Sequence, residues 1–346
     1  MKLRNVFALL LALVMVISMT ACAKEENKPA ATEAATEAAP VTETAAEPPV
    51  EMASIRVSVL NGTTGFGMAS LMDAAAKQEA EQNYEFTVET DASNIVAGLV
   101  NGSVDIAALP TNAAATVYNK TQGQVQVLAL NTRGVLYLVT DGSVAVESMK
   151  DLEGQTVYAP AQNPTFIFQN LVQAHGVNVT IDNTYAQPAD LNAAVASGQV
   201  AIAVLPEPMV TVAKAQNPDL VVALDLTAEW DKVNPAGSLV QGCVVVRKAF
   251  VETYPAAVAV FLGEYGASIE ALTSDVEGTA AKIEANGIFA KAAVAAKAIP
   301  NCNVCFVTGT EMKAALSEFL TIMHGVAPAS VGGAVPGDDF YCILNG

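Results

Sequence analysis

The chain has 346 residues, of which 35 are acidic and 17 are basic, giving a formal net charge of −18. This charge argues against nucleic acid as a partner and against direct docking on anionic lipid. The length accommodates either one two-lobed domain or two separate domains.

The first element in the chain has the pattern of a secretory signal. Lys2 and Arg4 precede an apolar run over residues 6–19, which is shorter than a membrane span of about 20 residues. Small residues follow and end at Cys22, as they do before a cleavage site. We expect residues 1–21 to be removed on export.

Cys22 at the cleavage site resembles the lipidated cysteine of the bacterial lipobox. That motif usually has Leu three residues before the cysteine, and this chain has Met19 there. The resemblance implies that Cys22 carries the lipid, and an ordinary signal with a chance cysteine is the alternative. Cleavage also removes Lys2 and Arg4, so the mature chain has 15 basic and 35 acidic residues and a net charge of −20.

The next segment, residues 22–52, consists mainly of Ala, Glu, Thr and Pro and has no aromatic residue. It cannot bury enough apolar surface to order itself, so we predict a disordered acidic tether. As a flexible coil it would reach about 30 Å. We expect it to hold a soluble domain away from a membrane. No later apolar run reaches about 18 uncharged residues, which predicts no further membrane span.

Strands and helices alternate through the first half of the folded region. Alternating β-branched residues predict strands, and apolar residues at helical spacing predict the helices between them. Ser93 is the predicted N-cap of the second helix, Gly102 ends that helix, and residues 110–112 open the next one. The predicted strands are 55–60, 84–90, 105–109 and 124–130.

The same order recurs in the second half, where two eleven-residue segments share six identical residues. Residues 100–110 and 196–206 each end a helix near Gly and then run a buried strand into Pro. Two similar halves predict an α/β protein with two lobes, each a mainly parallel sheet with flanking helices. The predicted strands are 156–159, 178–186, 201–205 and 221–226.

Residues 54–346 resemble the type II periplasmic binding proteins, in the group that binds sulfonates, taurine and pyrimidine precursors. The resemblance rests on the order and spacing of five stretches, which are residues 64–67, 102–111, 149–157, 197–208 and 243–250.

That resemblance implies the ligand-binding lipoprotein of an ABC importer, anchored outside the cytoplasm and passing its ligand to permease subunits. It implies a monomer without cofactor, metal or nucleic acid. Lobe 1 is expected at residues 53–132 and 243–346, and lobe 2 at 133–242. Crossovers near 131–134 and 237–243 would act as the hinge that closes the lobes on the ligand.

Loops at the ends of the predicted strands are the expected ligand contacts. Open α/β sheets bind ligands there, and helix N-termini add unpaired N–H groups. Plain turns with ordinary helix caps remain the alternative. The candidate contacts are Asn61, Thr63, Thr64, Gly65, Phe66, Ser93, Thr111, Asn112, Asn163, Thr165 and Glu207.

The charges of these loops limit the ligand. They contain carboxylates but no Lys or Arg, and Arg133 near a crossover is the nearest cation. This favours a neutral or amine-bearing molecule over a strong anion. Glu207 has two possible uses, either stabilising a helix dipole or accepting hydrogen bonds from an amine. Aromatic walls are expected from Phe66, Tyr158, Phe166 and Trp230, with core packing as the alternative.

Two other kinds of protein stay open at this point. An enzyme of pyrimidine metabolism could use the same fold, although no nucleophile elbow or phosphate loop is present. A surface sensor lipoprotein would share the signal and the tether. The role of the C-terminal tail and the identity of the ligand are also open. Cys243, Cys302, Cys305 and Cys342 predict packed thiols or one structural disulfide rather than a redox or metal site.

Overall fold

The computed structural model describes residues 53–344. The predicted signal peptide, Cys22 and the tether lie outside the described residues. The strands are β1 (Ser54–Leu60), β2 (Asn83–Glu89), β3 (Ile106–Pro110), β4 (Val125–Arg133), β5 (Leu136–Thr140), β6 (Thr156–Tyr158), β7 (Thr180–Asp182), β8 (Ile202–Pro206), β9 (Val221–Asp225), β10 (Val240–Arg247) and β11 (Val304–Val307).

Helices connect and cover these strands. They are α1 (Thr63–Phe66), α2 (Ala69–Ala76), α3 (Ala92–Asn101), α4 (Thr111–Thr121), α5 (Asn163–His175), α6 (Pro188–Ala196), α7 (Met209–Gln216), α8 (Leu226–Trp230), α9 (Lys248–Thr253), α10 (Pro255–Ser274), α11 (Val276–Ala285), α12 (Ala292–Ala298) and α13 (Gly309–Val326).

The strands form two sheets, in the orders β11-β4-β10-β3-β1-β2 and β7-β6-β8-β5-β9. β1 pairs in parallel with β2 and β3, and β6 pairs in parallel with β7 and β8. β10 runs antiparallel between β3 and β4, β11 is antiparallel to β4, and β5 runs antiparallel between β8 and β9. The α/β fold with two sheets and flanking helices is confirmed.

The central strand β3 of the first sheet is buried on both faces. Ile106 and Ala108 of β3 pack with the cluster that contains the buried side of α10. Ala107 and Leu109 point to the opposite face and pack with α4 and α13. Because side chains alternate across a strand, burial of both faces requires a continuous apolar run, and β3 has one.

The repeated segments occupy equivalent places in the two sheets. β3 lies beside β1 and β10, and β8 lies beside β6 and β5. Both strands bury four residues and end in a partly buried Pro, after which a helix begins. The chain leaves the first sheet after β4 and returns to it with β10. The lobe boundaries at 132/133 and 242/243 stay a prediction.

Helix α10 is long and apolar enough, by length and composition, to cross a membrane. Its buried residues, however, include Phe261, Tyr265 and Leu272, which pack against the first sheet. Glu264, on the same helix, accepts hydrogen bonds from the amide of Glu81 and the hydroxyl of Tyr84. We therefore interpret α10 as a core helix of the folded region.

Three local predictions need correction or completion. The N-cap of α3 is Asp91 rather than Ser93, because the Asp91 carboxylate accepts from the Ser93 amide at 2.8 Å. The strand predicted over 178–186 is only the three residues of β7. The four cysteines in the described region are free thiols, two of them fully buried.

Candidate functional site

A cavity of about 470 Å³ lies where the edges of the two sheets face each other. This volume falls within the range usual for small-molecule sites. The lining residues are Asn61, Gly62, Thr63, Thr64, Thr90, Pro110, Thr132, Val135, Asn163, Pro164, Gln187, Pro188, Ala189, Pro206, Glu207, Pro208, Met209, Gln241 and Phe289.

The sheet topology explains why these residues meet. β1, β3 and β8 reach the cavity at their carboxyl ends, whereas β5 and β10 run in the opposite direction and begin there. Helices α4, α5, α6 and α7 all start beside the cavity. Ligand sites of open α/β sheets occupy this position.

Five of the eleven candidate contacts line the cavity. They come from the loop after β1, the start of α5 and the end of β8, so both sheets contribute. These five are Asn61, Thr63, Thr64, Asn163 and Glu207.

The other six candidates lie away from the cavity wall. Phe66 is fully buried, and Gly65 packs against Val59 and Ile288. Thr111 donates to the Val240 carbonyl at 2.8 Å and is also fully buried. The remaining three are Ser93, which is exposed, and Asn112 and Thr165, which are half-buried.

Glu207 is 4% exposed, and neutral groups of α7 satisfy its carboxylate. One carboxylate oxygen accepts from the Thr211 amide at 3.1 Å and the other from the Thr211 hydroxyl at 3.0 Å. Burial raises the pKa of Glu207, and hydrogen bonds from Thr211 and the Asn301 side chain only partly oppose this. The carboxylate thus caps the first turn of α7, and Glu207 is one of the residues that line the cavity.

Segments flanking the strands of the two sheets also touch beside the cavity. The Thr63 hydroxyl donates to the Glu207 carbonyl at 2.8 Å in a buried contact. At a second place, the Tyr137 hydroxyl of β5 donates to the Asn301 carbonyl at 2.9 Å. These contacts hold the facing edges together around the cavity.

The cavity wall carries one carboxylate, that of Glu207, and no Lys, Arg or His, all of its residues lying within 53–344. Arg133 points elsewhere, donating to the Gly237 carbonyl and pairing with Glu311. Asn163 is 8% exposed, and its side-chain oxygen has no partner among the described residues. The wall therefore presents a carboxylate, amides and hydroxyls, without a cationic side chain.

Sequence reasoning missed the aromatic residue of the wall. Phe289 lines the cavity and meets Phe66 edge-on, with ring centroids 6.2 Å apart. Of the aromatics predicted for the wall, Trp230 is fully buried and donates to Ser238 instead. In the sequence, the Asn286-Gly287 turn ahead of Phe289 indicates a loop at this point. The Ile288 carbonyl of that loop accepts a hydrogen bond from the Gly62 amide, which joins the loop to the cavity wall.

A second cavity, of about 550 Å³, lies between α10 and β11 on the first lobe. Its walls include Ile269, Val276 and Phe306, and no residue of the second sheet contributes to them. We favour the smaller cavity as the functional site because loops from both sheets converge on it.

No protein-family model matches the chain, and no curated protein matches its sequence. Solved structures share its fold. An ABC transporter protein from Parabacteroides distasonis is 24% identical, with a TM-score of 0.72 and coverage of 84% of this chain and 99% of its own. The periplasmic aliphatic sulphonate binding protein SsuA from Escherichia coli is 14% identical, with a TM-score of 0.67 and coverage of 85% and 94%.

A third similar structure is the CA3427 gene product of Candida albicans, described as having the generic periplasmic binding protein fold. It is 12% identical, with a TM-score of 0.53 and coverage of 84% of this chain and 93% of its own. The chain therefore has the periplasmic binding protein fold, as the sequence predicts.

Proposed function

We propose that this protein is the substrate-binding component of an ABC importer and captures a small polar metabolite between its two lobes. The observation that carries the proposal is the cavity of about 470 Å³ between the facing edges of the two sheets. The fold it shares with ABC transporter binding proteins supports the same role. We further infer that the ligand is bound and released unchanged.

Ligand binding is expected to shift the lobes towards the closed arrangement. Only the closed arrangement surrounds the ligand on both sides, so binding energy favours it. Small-angle X-ray scattering should therefore give a smaller radius of gyration with saturating ligand, for compounds first found by thermal-shift screening of a metabolite library. A saturating ligand that leaves the scattering curve unchanged argues against closure.

We also propose that Cys22 anchors the mature protein to the cell membrane outside the cytoplasm, with residues 22–52 as tether and permease subunits as partners. Changing Cys22 to Ala should release the protein from the membrane fraction while ligand binding stays within about twofold. Fractionation of cells and a thermal-shift assay of both forms measure this. Retention of the variant in membranes contradicts the lipid anchor.

A further inference from the structure

We propose that the cavity selects organic cations with N–H donors, such as primary amines or amidines, and rejects anions of the sulphonate or carboxylate type. This inference rests on the proposed binding function and adds the chemical class of the ligand. It is carried by the acceptors of the wall, by the lack of cationic side chains there, and by the helix starts around the cavity.

Two buried side chains of the wall, Glu207 and Asn163, carry acceptor oxygens. Glu207, which is 4% exposed, is a wall residue, and the partners of its carboxylate are neutral groups of Thr211 and Asn301. A buried carboxylate without a cation is costly, and a cationic ligand would offset that cost. Asn163 adds a side-chain oxygen that has no partner among residues 53–344. The Asn163 oxygen lacks a donor and the Glu207 carboxylate lacks a cation, and an ammonium or amidinium group supplies both.

The helix starts are the usual means of binding an anion, because their free N–H groups point at the ligand. Five helices begin at the cavity, and all of them except α1 have a proline at the N-cap or in the first turn. α6 begins at Pro188, α5 has Pro164 in its first turn, and Pro110 and Pro208 are the N-caps of α4 and α7. The Thr211 amide in the first turn of α7 is already taken by Glu207. One first-turn N–H is therefore missing or occupied in each of α5, α6 and α7.

The remaining wall suits a cation as well. Phe289 contributes an aromatic side chain to the wall, and a cation placed over such a ring is attracted to it. The mature sequence is also acidic, so its long-range field concentrates cations and repels anions. Local contacts and overall charge thus favour the same ligand class.

Three probes with the same ring test the class directly. Benzamidine is cationic, benzamide is its neutral isostere, and benzenesulfonate is anionic; butylamine and butane-1-sulfonate form an aliphatic pair. Binding to the purified protein is measured by calorimetry and ligand-observed NMR. We expect benzamidine to bind at least tenfold more tightly than benzamide or benzenesulfonate, and butylamine to bind more tightly than its sulfonate.

Glu207→Gln is the matching variant, since Gln retains an acceptor for Thr211 and nearly the same volume. It should remove the preference of benzamidine over benzamide. Glu229→Gln is the control, because Glu229 is a carboxylate of the same lobe, 5% exposed, that pairs with Lys232 away from the cavity. It should keep the preference, and the melting temperature of each variant establishes that it is folded.

The outcomes separate the ligand class from the function. Tighter binding of the sulfonates, or lobe closure by an anion when no cationic probe binds, overturns the cation class and leaves the binding function standing. An unchanged preference in Glu207→Gln overturns the role of that carboxylate. If neither the probes nor a metabolite library gives any binding or closure, the proposed function fails together with the class.

Discussion

Changing Asp105 to Asn is expected to destabilise the protein by about 1.5–3 kcal/mol at pH 7, because it removes a buried carboxylate that accepts hydrogen bonds from two partly exposed arginines. Asp105 is 1% exposed and accepts from the Arg56 side chain at 2.8 and 2.7 Å. The Arg247 side chain donates to the same carboxylate. Asp105 thereby joins the ends of β1, β3 and β10, three neighbouring strands, at the edge opposite the cavity.

The pH dependence of this effect follows from the pKa of Asp105. Burial alone would raise that pKa, but the hydrogen bonds from Arg56 and Arg247 outweigh burial and lower it. A carboxyl with a lowered folded-state pKa contributes stability above its unfolded pKa of about 3.9. That contribution is lost as the pH falls through the folded-state pKa, so the difference between wild type and D105N should shrink below about pH 4.

Urea denaturation at pH 7 and in acid measures both parts of this prediction. Asp73→Asn is the control, because Asp73 forms an exposed i,i+4 pair with Lys77 at 2.8 Å. Such a pair contributes only about 0.3–0.5 kcal/mol. If D105N lies within 1 kcal/mol of wild type at pH 7, Asp105 does not hold the three strands together as described.

The repeat in the sequence was enough to predict most of this fold. Residues 100–110 and 196–206 share their pattern because β3 and β8 occupy equivalent positions in the two sheets. Each strand is buried on both faces and ends shortly before a helix begins. Asp105 is a departure within that repeat, since Ala201 takes its place in the second copy. The Asp105 carboxylate has its partners on β1 and β10, in Arg56 and Arg247, which lie far away in the sequence.

The reversed strands could not be predicted from local pattern. β5 and β10 have the same apolar character as the parallel strands, and only their pairing partners show that they run the other way. These two strands follow the crossovers between the sheets. Strand direction is a tertiary property, and periodicity records only which face of a strand is buried.

The candidate site was predictable only in part for a related reason. A strand-end pattern identified the loops holding Asn61, Asn163 and Glu207, because the fold itself brings strand ends together. It could not tell which side chain in a loop points into the cavity and which packs behind it. The strand-end pattern did not identify Phe289 because this residue lies in the loop between α11 and α12, with no strand directly before it.

Changing Gly65 to Ala tests that distinction, and we expect it to destabilise the protein by about 1–3 kcal/mol. A Cβ atom at this position would lie 2.4 Å from the Leu60 carbonyl oxygen, 2.8 Å from Val59 and 2.9 Å from Ile288. Because this oxygen belongs to the backbone at the end of β1, a side-chain rotation cannot relieve the clash, and the loop after β1 must move. Because Asn61, Thr63 and Thr64 of that loop line the cavity, ligand affinity should fall as well.

Gly263→Ala is the matched control, with the opposite expected sign. Gly263 lies inside α10, and a Cβ atom there would meet nothing within 4 Å. Since Ala is favoured over Gly in a helix interior, this change should stabilise the protein by about 0.5–1 kcal/mol. Urea denaturation and calorimetry of both variants measure the two effects. A Gly65→Ala protein with wild-type stability but weakened binding would instead place Gly65 in contact with the ligand, as the strand-end pattern first suggested.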